Sequence, residues 1–282
     1  MLLREVEYAR PATVDDAIAL LAEHDGARPL AGGQTLINVM KARAAAPDVL
    51  VDLADLEELR SIGFSQDGLL QIGAMVTSAQ LIGSSEVEVA RPILAEVAAT
   101  IADVQVRNRG TIGGNVCVND PTNHLPPLLV AVGARFTIRS SGGERTVSAD
   151  EFFQGVYLTA VGEGELLTTI SVPPAADAGD GFAGVTIGKH GTCIVDAAAT
   201  IADDGTRIVL GCVAPTPARA TAMEERLADG DFSEEVVRAA AEGLGATLDP
   251  PSDVHGSADY RRALAETLAV RAVLQAASRR RS

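Results

Sequence analysis

Apolar positions near the N terminus follow helical spacing in one segment and form short continuous runs on either side of it. Ala17, Leu20 and Leu21 fall on one helix face, and Thr13 precedes them as a residue suited to cap a helix. Short apolar runs have the length of buried strands. The pattern predicts a β-α-β-α-β unit: a strand at 4–8, a helix from 13 to 26, a strand at 28–31, a helix at 36–45 and a strand at 49–53.

The middle of the chain mixes strand-like and helix-like segments. Gln66-Asp67-Gly68 is a turn sequence between two apolar runs and predicts a hairpin over 59–71. Pro126 and Pro127 suit the first turn of a helix, where proline is tolerated. The remaining pattern predicts helices at 77–81, 92–101 and 125–132, a strand pair at 134–138 and 144–148, a short helix at 148–153 and a strand at 166–172.

The composition changes after this strand. Residues 175–181 contain only Ala, Asp and Gly, which is typical of a linker, and we place a domain boundary there. Beyond it, Asp203-Asp204-Gly205 predicts a hairpin between strands at 195–202 and 207–213, followed by helices at 216–229, 233–243 and 257–278. The chain is therefore divided into three parts: 1–56, 57–174 and 175–282.

Composition and charge narrow the function. The 282 residues are 47% hydrophobic and 22% charged, as in globular proteins. A net charge of −15 argues against nucleic acid or an anionic membrane as the main partner. No apolar run approaches the ~20 residues that span a bilayer, and the early charges do not suit a signal peptide. We expect a cytoplasmic protein.

Several kinds of chemistry lack their sequence signature. The three cysteines are widely separated, and the four histidines have no metal-ligand spacing, so the sequence predicts no metal site. It contains no phosphate-binding P-loop and no G-x-S-x-G elbow. No set of residues suggests acid–base or nucleophilic catalysis, so no catalytic residue is assigned. These features favour a chain that carries a redox cofactor.

Two Gly-Gly stretches carry the candidate chemistry. Ala31-Gly-Gly-Gln-Thr35 follows an apolar run and enters a predicted helix, and Thr111-Ile-Gly-Gly-Asn115 lies beside Arg107 and Arg109. Glycine-rich turns direct successive N–H groups towards an anion, and threonine or asparagine adds side-chain hydrogen bonds. Two such turns in one domain suit the two phosphates of a dinucleotide, although a Gly-Gly pair is often only a turn.

The same residues resemble a known family. Leu30-Ala-Gly-Gly-Gln-Thr-Leu36 and Val104-Gln-Val-Arg-Asn-Arg-Gly-Thr-Ile-Gly-Gly-Asn115 are similar to motifs of the FAD-binding medium subunit of the molybdenum hydroxylases, the CO dehydrogenase and xanthine dehydrogenase type. Gly211-Cys-Val-Ala-Pro-Thr-Pro-Ala-Arg219 and Ser257-Ala-Asp-Tyr-Arg-Arg262 extend the resemblance to the C-terminal part. It implies an α+β fold with two α/β FAD-binding subdomains of the vanillyl-alcohol-oxidase (PCMH) type, followed by an antiparallel sheet with helices.

The resemblance also implies the cofactor contacts. FAD is expected to touch Leu30, Ala31, Gly32, Gly33, Gln34, Thr35, Leu36, Gly110, Thr111, Gly114, Asn115, Cys117, Asn123, His124, Leu167 and Lys189. His124 departs from the family, which has an aspartate there, and a histidine is not a permanent carboxylate acceptor. A basic residue of the family aligns with Val185, so Lys189 or His190 is the candidate replacement unless both are surface residues.

By resemblance, the chain is an FAD-carrying oxidoreductase subunit of a heterotrimer. A molybdenum-cofactor large subunit oxidises the substrate, the [2Fe–2S] clusters of a small subunit relay electrons, and FAD passes them to quinone, oxygen or a nicotinamide. The alternatives are a stand-alone FAD-dependent reductase, a non-redox flavin- or nucleotide-binding module of the same fold, and a nucleotide-binding enzyme of another kind.

Overall fold

The N-terminal part is a three-stranded parallel sheet with two helices. The computed structural model describes residues 2–188 and 191–280. The first elements are β1 (Glu7–Ala9), α1 (Val14–Glu23), β2 (Ala27–Leu30), α2 (Leu36–Lys41) and β3 (Val49–Asp52). β3 lies between β1 and β2 and pairs in parallel with both. The Thr13 hydroxyl accepts from the Asp16 amide, so the predicted cap and the β-α-β-α-β order are confirmed.

The central part contains a five-stranded antiparallel sheet. Its elements are β4 (Ile62–Phe64), β5 (Leu70–Gly73), α3 (Ser78–Gly83), α4 (Ser85–Ala90), α5 (Ile93–Ala98), α6 (Val104–Arg107), α7 (Ile112–Val118), α8 (Leu125–Ala131), β6 (Arg135–Ser140), β7 (Gly143–Ser148), α9 (Ala149–Phe152), β8 (Phe153–Gly155), β9 (Leu158–Thr159) and β10 (Leu166–Val172). The strands of the sheet pair in the order β4-β5-β10-β6-β7. Short 3₁₀ turns occur at Glu57–Leu59 and, further on, Gly245–Thr247. The predicted hairpins are present, but the sequence missed the helices α4, α6 and α7.

The C-terminal part is a four-stranded antiparallel sheet covered by a long helix. Its elements are β11 (Gly179–Thr186), β12 (Cys193–Ala202), β13 (Gly205–Gly211), β14 (Ala218–Arg219), α10 (Thr221–Arg226), α11 (Glu234–Ala241) and α12 (Ala258–Arg279). The hairpin predicted around Asp203-Asp204-Gly205 is confirmed by the pairing of β12 with β13. The fold is thus α+β, with antiparallel sheets and helices following a parallel unit.

The predicted linker at 175–181 is wrong at its C-terminal end, because β11 already begins at Gly179. Cβ atoms on Gly179 and Gly181 would lie 2.0 Å from the carbonyl oxygens of Ala276 and Ala272. These glycines therefore let β11 approach the backbone of α12. The small residues that suggested a flexible linker instead allow β11 and α12 to pack closely.

The buried apolar side chains of the described residues form three hydrophobic clusters. Two of these clusters combine residues from different parts of the chain. The central cluster includes Ala198 and Val209 from the C-terminal sheet, and the N-terminal cluster includes Met75 and Leu166 from the central part. The division at 56 and 174 stays a proposal. No helix within residues 2–188 and 191–280 is long and apolar enough to cross a bilayer.

Candidate cofactor site

The two Gly-Gly turns lie against each other, although they are far apart in sequence. A Cβ on Gly32 would lie 2.1 Å from the carbonyl oxygen of Arg109 and 2.9 Å from the Cα of Gly110. A Cβ on Gly114 would lie 3.5 Å from that of Ala31. Only a residue without a side chain permits this approach at Gly32. The tertiary structure thus brings both candidate motifs to one place.

The first turn has backbone amide groups with no hydrogen-bond partner among residues 2–188 and 191–280, namely those of residues 32–35. Gly33 has a φ of +70°, and Thr35 stands at the N-cap of α2 with no side-chain capping bond. The Gln34 side chain donates to the Gly32 carbonyl at 3.1 Å and closes the turn on itself. This turn therefore offers several N–H donors to an anion.

The second turn differs, and the expectation that its amides face an anion is wrong. All four amides from Ile112 to Asn115 are already bonded at 2.8–3.0 Å. Their acceptors are, in order, the Val76 carbonyl, the Ala74 carbonyl, the Thr111 hydroxyl and the Thr111 carbonyl. This bonding fixes α7 to the segment after β5, with Thr111 as its N-cap.

Side chains remain available at the second turn. The Thr111 hydroxyl accepts from Gly114, so its own proton is free to be donated to a ligand. Asn115 Oδ1 is buried and has no hydrogen-bond partner among the described residues. A buried unsatisfied amide oxygen calls for a ligand or water that completes it. The second turn thus offers side-chain hydrogen-bonding groups to a ligand, whereas the first turn offers backbone N–H groups.

A cleft of about 310 Å³ opens beside the first turn. It is lined by residues 30–34, Ile37, Asn38, Lys41, Asp52 and Arg109. Lys41 and Arg109 make no ion pair within the described part of the chain, so both cations are available to an anionic ligand. The Arg107 guanidinium instead donates to the carbonyls of Ile101 and Ala102, at 2.9 and 2.6 Å. Sequence reasoning treated the two arginines alike and missed Lys41, which no motif marks.

Asn123 and Cys117 lie near Asn115. The Asn123 side chain donates to the Asn115 carbonyl at 3.0 Å and so joins the start of α8 to α7. Cys117 is half-buried in α7, and desolvation raises the pKa of its thiol to about 12. The thiol is therefore neutral near pH 7 and has no nucleophilic character.

His124 is buried and points towards the C-terminal sheet. Its Nδ1 lies 2.6 Å from Oδ2 of Asp196 on β12, and the Phe182 ring meets it edge-on at 5.6 Å. Sequence reasoning missed Asp196, because 72 residues separate the pair and no local motif marks it.

Cys193 adds a third donor to this pair. One ligand atom each from His124, Cys193 and Asp196 falls within 4.8 Å of the others, a grouping that sequence spacing did not reveal. Two ligands of a tetrahedral zinc ion lie about 3.3 Å apart. The imidazole–carboxylate separation of 2.6 Å is instead that of a charge-assisted hydrogen bond. A hydrogen bond with Cys212, together with burial, raises the pKa of the Cys193 thiol.

The remaining predicted contacts are placed as follows. Leu167 is 3% exposed on β10, beside a register irregularity, and packs in the central core. Leu30 ends β2 and Leu36 begins α2, each partly buried. Lys189 and the alternative His190 lie outside the described residues. The structure brings the two glycine turns together, with Asn123 bonded to the second turn.

A larger cleft of about 760 Å³ lies elsewhere. It is lined by residues of the central and C-terminal sheets, among them Arg135, Arg207 and Asp203, and by none of the predicted contacts. The size of a cleft therefore does not identify the cofactor site, which is identified by the two glycine turns.

Comparison with known proteins gives consistent results. Residues 4–175 match a family described as the FAD binding domain in molybdopterin dehydrogenase, and residues 186–276 match the CO dehydrogenase flavoprotein C-terminal domain. The carbon monoxide dehydrogenase medium chain of Hydrogenophaga pseudoflava is 39% identical, over 97% of each chain. The xanthine dehydrogenase FAD-binding subunit of Escherichia coli O157:H7 is 28% identical, over 95% of each.

A solved structure gives the same result. The carbon monoxide dehydrogenase from Hydrogenophaga pseudoflava that lacks the Mo-pyranopterin moiety superposes with a TM-score of 0.95, at 39% identity, over 100% of both chains. The similarity therefore extends over the full length and includes both glycine turns.

Proposed function

The chain belongs to the family of FAD-binding medium chains of the molybdenum hydroxylases, and on that premise we propose that it holds one FAD and transfers electrons within a larger complex. The observation that carries the proposal is the contact between the two glycine turns. Gly32 lies against Arg109 and Gly110, where no Cβ fits. The cofactor is FAD, and the chain is an oxidoreductase subunit.

The residues present fit a dinucleotide. The amides of residues 32–35, which donate to no described residue, suit phosphate oxygens, and the Thr111 hydroxyl offers a further donor. Asn115 supplies a buried oxygen that has no hydrogen-bond partner in the described part of the chain. Lys41 and Arg109 line the adjoining cleft and offset the negative charge of a diphosphate. We assign pyrophosphate binding to these groups.

The finer contacts belong to the same proposal. Leu30, Ala31, Gly33, Gln34 and Leu36 surround the first turn and are proposed to line the cofactor. Gly110, Gly114, Cys117, Asn123, His124 and Leu167 are proposed to do so from the central part, as is Lys189. Electron transfer is the chemistry that FAD supplies when bound. The chain's own residues bind and orient the cofactor and supply no catalytic acid or base.

The partners follow from the family and remain a proposal. The related CO dehydrogenase and xanthine dehydrogenase chains are named as medium or FAD-binding subunits, so each belongs to a larger enzyme. We propose a heterotrimer with a [2Fe–2S] small subunit as electron donor and a molybdenum-cofactor large subunit. Quinone, oxygen or a nicotinamide is the proposed acceptor, in the cytoplasm.

The first experiment measures the flavin. The purified chain is expected to contain about one FAD, identified chromatographically after release by heat. Thr111→Val keeps the side-chain shape and removes the hydroxyl, so it should weaken FAD binding about tenfold. A wild-type chain that stays colourless after incubation with FAD would falsify the proposal.

A second experiment separates the subunit from a stand-alone reductase. The FAD-loaded chain is mixed anaerobically with a chemically reduced [2Fe–2S] small subunit, and the blue absorbance band of the flavin is followed. Bleaching by the small subunit supports the electron-transfer subunit, whether or not a reduced nicotinamide, one of the proposed acceptors, also bleaches the flavin. Bleaching by NADH or NADPH, with none by the small subunit, supports a stand-alone reductase.

A further inference from the structure

Asp52 ends β3, the central strand of the N-terminal parallel sheet, at the edge where the first glycine turn begins. It pairs in register with Leu30, which ends β2, and the Leu53 amide donates to the Leu30 carbonyl at 3.0 Å. Open sheets of parallel strands bind ligands at the carboxyl ends of those strands. The cleft beside the first turn is lined by Asp52 as well as by residues 30–34. A carboxylate thus stands at the proposed cofactor site.

The side chain of Asp52 lies on the cleft side of the sheet. Successive residues of a strand point to opposite faces. Val49 and Val51 pack with residues of α1 in the N-terminal cluster, so Leu50 and Asp52 point to the other face. Residues of α2 line the same cleft as Asp52. The carboxylate is therefore directed into the space between β3 and α2.

Two donors of the chain hold this carboxylate in place. Oδ1 accepts from the Ala54 amide at 2.9 Å, and Oδ2 accepts from the hydroxyl of Tyr8 on β1. The hydrogen bond with Asp52 raises the pKa of Tyr8, so the phenol stays protonated and donates at neutral pH. An ionised carboxylate has about four acceptor positions, two on each oxygen. The described residues use one position on each oxygen, so one on each remains for a ligand.

The charge of Asp52 determines which part of a dinucleotide it can contact. Lys41 and Arg109 also line the cleft, yet neither forms an ion pair with Asp52 within residues 2–188 and 191–280. The carboxylate repels a phosphate oxygen but accepts a hydrogen bond from a hydroxyl group. Most of the lining is polar or glycine, which suits a sugar rather than the large apolar ring of the flavin.

FAD contains two sugar-derived parts, a flexible ribityl chain and the ribose of its adenosine half. The ribose ring holds its 2′ and 3′ hydroxyl groups on the same side, so both can donate in one direction. Asp52 offers one open acceptor position on each oxygen, and its own hydrogen bonds fix both oxygens. This arrangement matches the rigid pair of ribose hydroxyls better than the flexible chain, because less conformational freedom is lost on binding.

We propose that Asp52 binds the ribose of the adenosine half of FAD, accepting hydrogen bonds from its 2′ and 3′ hydroxyl groups in the cleft beside the first glycine turn. The inference rests on the proposed function, since it requires FAD at that turn. Tyr8 is the positioning residue, because its hydroxyl holds Oδ2 of Asp52. The N-terminal unit then binds both the phosphates and the adjoining sugar.

The test compares FAD with two analogues whose adenosine half lacks either the 2′ or the 3′ hydroxyl group. Flavin fluorescence titration gives the dissociation constants. The wild-type chain should bind each analogue about tenfold more weakly than FAD, because one hydrogen bond to a charged group is lost. Asp52→Asn should reduce each of these ratios to about threefold or less, since a neutral amide is the weaker partner. The lost charge affects all three ligands alike, so the ratios report the hydroxyl contacts alone.

Two further variants separate binding from folding. Asp55→Asn is the matched control, because Asp55 is an exposed carboxylate that pairs with Arg10 and does not line the cleft. It should leave FAD affinity and both ratios unchanged. Tyr8→Phe should weaken FAD binding severalfold and keep the preference for FAD over both analogues, because the carboxylate remains. Melting temperatures measured without FAD show that each variant is folded.

A third analogue tests the other donor that adenosine could offer to a carboxylate. In the hypoxanthine analogue of FAD, the adenine amino group is absent and the ribose is intact. Asp52→Asn should weaken binding of this analogue by the same factor as binding of FAD. A loss seen with FAD and not with the hypoxanthine analogue would show that Asp52 contacts the amino group, which overturns the ribose assignment.

The remaining outcomes distinguish the two proposals. A wild-type chain that binds no FAD overturns the proposed function. A wild-type chain that binds FAD and both deoxy analogues equally well overturns the role of Asp52 alone. Tenfold ratios that persist in Asp52→Asn also overturn it, because the ribose hydroxyl groups then bind another residue.

Discussion

Gly32→Ala tests the contact on which the site depends. The added Cβ would lie 2.1 Å from the Arg109 carbonyl oxygen and 2.9 Å from the Gly110 Cα, whereas real Cβ contacts stay above 3.0 Å. The two turns must therefore separate by about 1 Å. Both nearby atoms are backbone, so no side chain can rotate away. Overpacking of this kind costs about 1–3 kcal/mol, or roughly 2–10 °C in melting temperature for a chain of this size.

Gly32→Ala should also weaken FAD binding. Separating the turns moves the amides of residues 32–35 away from Thr111 and Asn115, so a diphosphate cannot contact both sets. Loss of one hydrogen bond to a charged group costs about 1.5–3 kcal/mol, which is about 10- to 100-fold in the dissociation constant. Flavin fluorescence titration measures the affinity, and scanning calorimetry measures the melting temperature.

The matched control is Gly83→Ala. Gly83 ends α3, and a Cβ there meets nothing within 4 Å. Alanine is the better helix former, so the free energy of unfolding should rise by up to about 1 kcal/mol with FAD affinity unchanged. If Gly32→Ala binds FAD as tightly as this control does, the two turns do not form one site and the reasoning is refuted.

Three further predictions concern charge and protonation. Arg109→Ala should weaken FAD binding severalfold and reduce the salt dependence of that binding, whereas Arg107→Ala should lower only the melting temperature. Calorimetric titration of FAD at two salt concentrations measures both effects, and an equal loss of affinity in the two variants would contradict the prediction. Arg91→Leu leaves the buried carboxylate of Asp180 without its cationic partner, so the free energy of unfolding should fall by about 3–5 kcal/mol. Urea unfolding measures this loss, and a value below about 1 kcal/mol would show that the buried ion pair does not stabilise the fold. Between pH 9 and about 12, the raised pKa of Cys117 keeps its thiol protonated in the folded state and not in the unfolded state. The free energy of unfolding should therefore fall with rising pH in that window, and fall less steeply in Cys117→Ala. Identical plots of unfolding free energy against pH for the two proteins would reject the raised pKa.

Local physics explains what the sequence predicted well. Thr13 caps α1 because its hydroxyl accepts from the amide of a residue three positions later. Both partners lie within a few residues of each other, so a short stretch of sequence is enough to predict the contact. The turn at Asp203-Asp204-Gly205 is equally local, and the hairpin followed from it. The long glycine motifs identified the family, because a backbone that must approach a ligand restricts residue type at many consecutive positions.

Local propensity also explains the errors. The segment Ile112–Val118 forms α7, although two adjacent glycines disfavour a helix, because hydrogen bonds to the Ala74 and Val76 carbonyls hold its first turn. The start of β11 resembled a linker because its glycines serve contact with α12. In both places a tertiary contact outweighs the weak preference of the local sequence.

The sequence by itself determined the family, the cofactor class and the two glycine turns, because each depends on residues close together in the chain. Only the tertiary structure decided that the amides of the first turn donate to no described residue while those of the second are bonded. It also decided which arginine lines the cleft and that Asp196 holds His124 from 72 residues away. Hydrogen-bond partners distant in sequence are fixed by the packing of whole elements, and a single sequence carries no local signal for them.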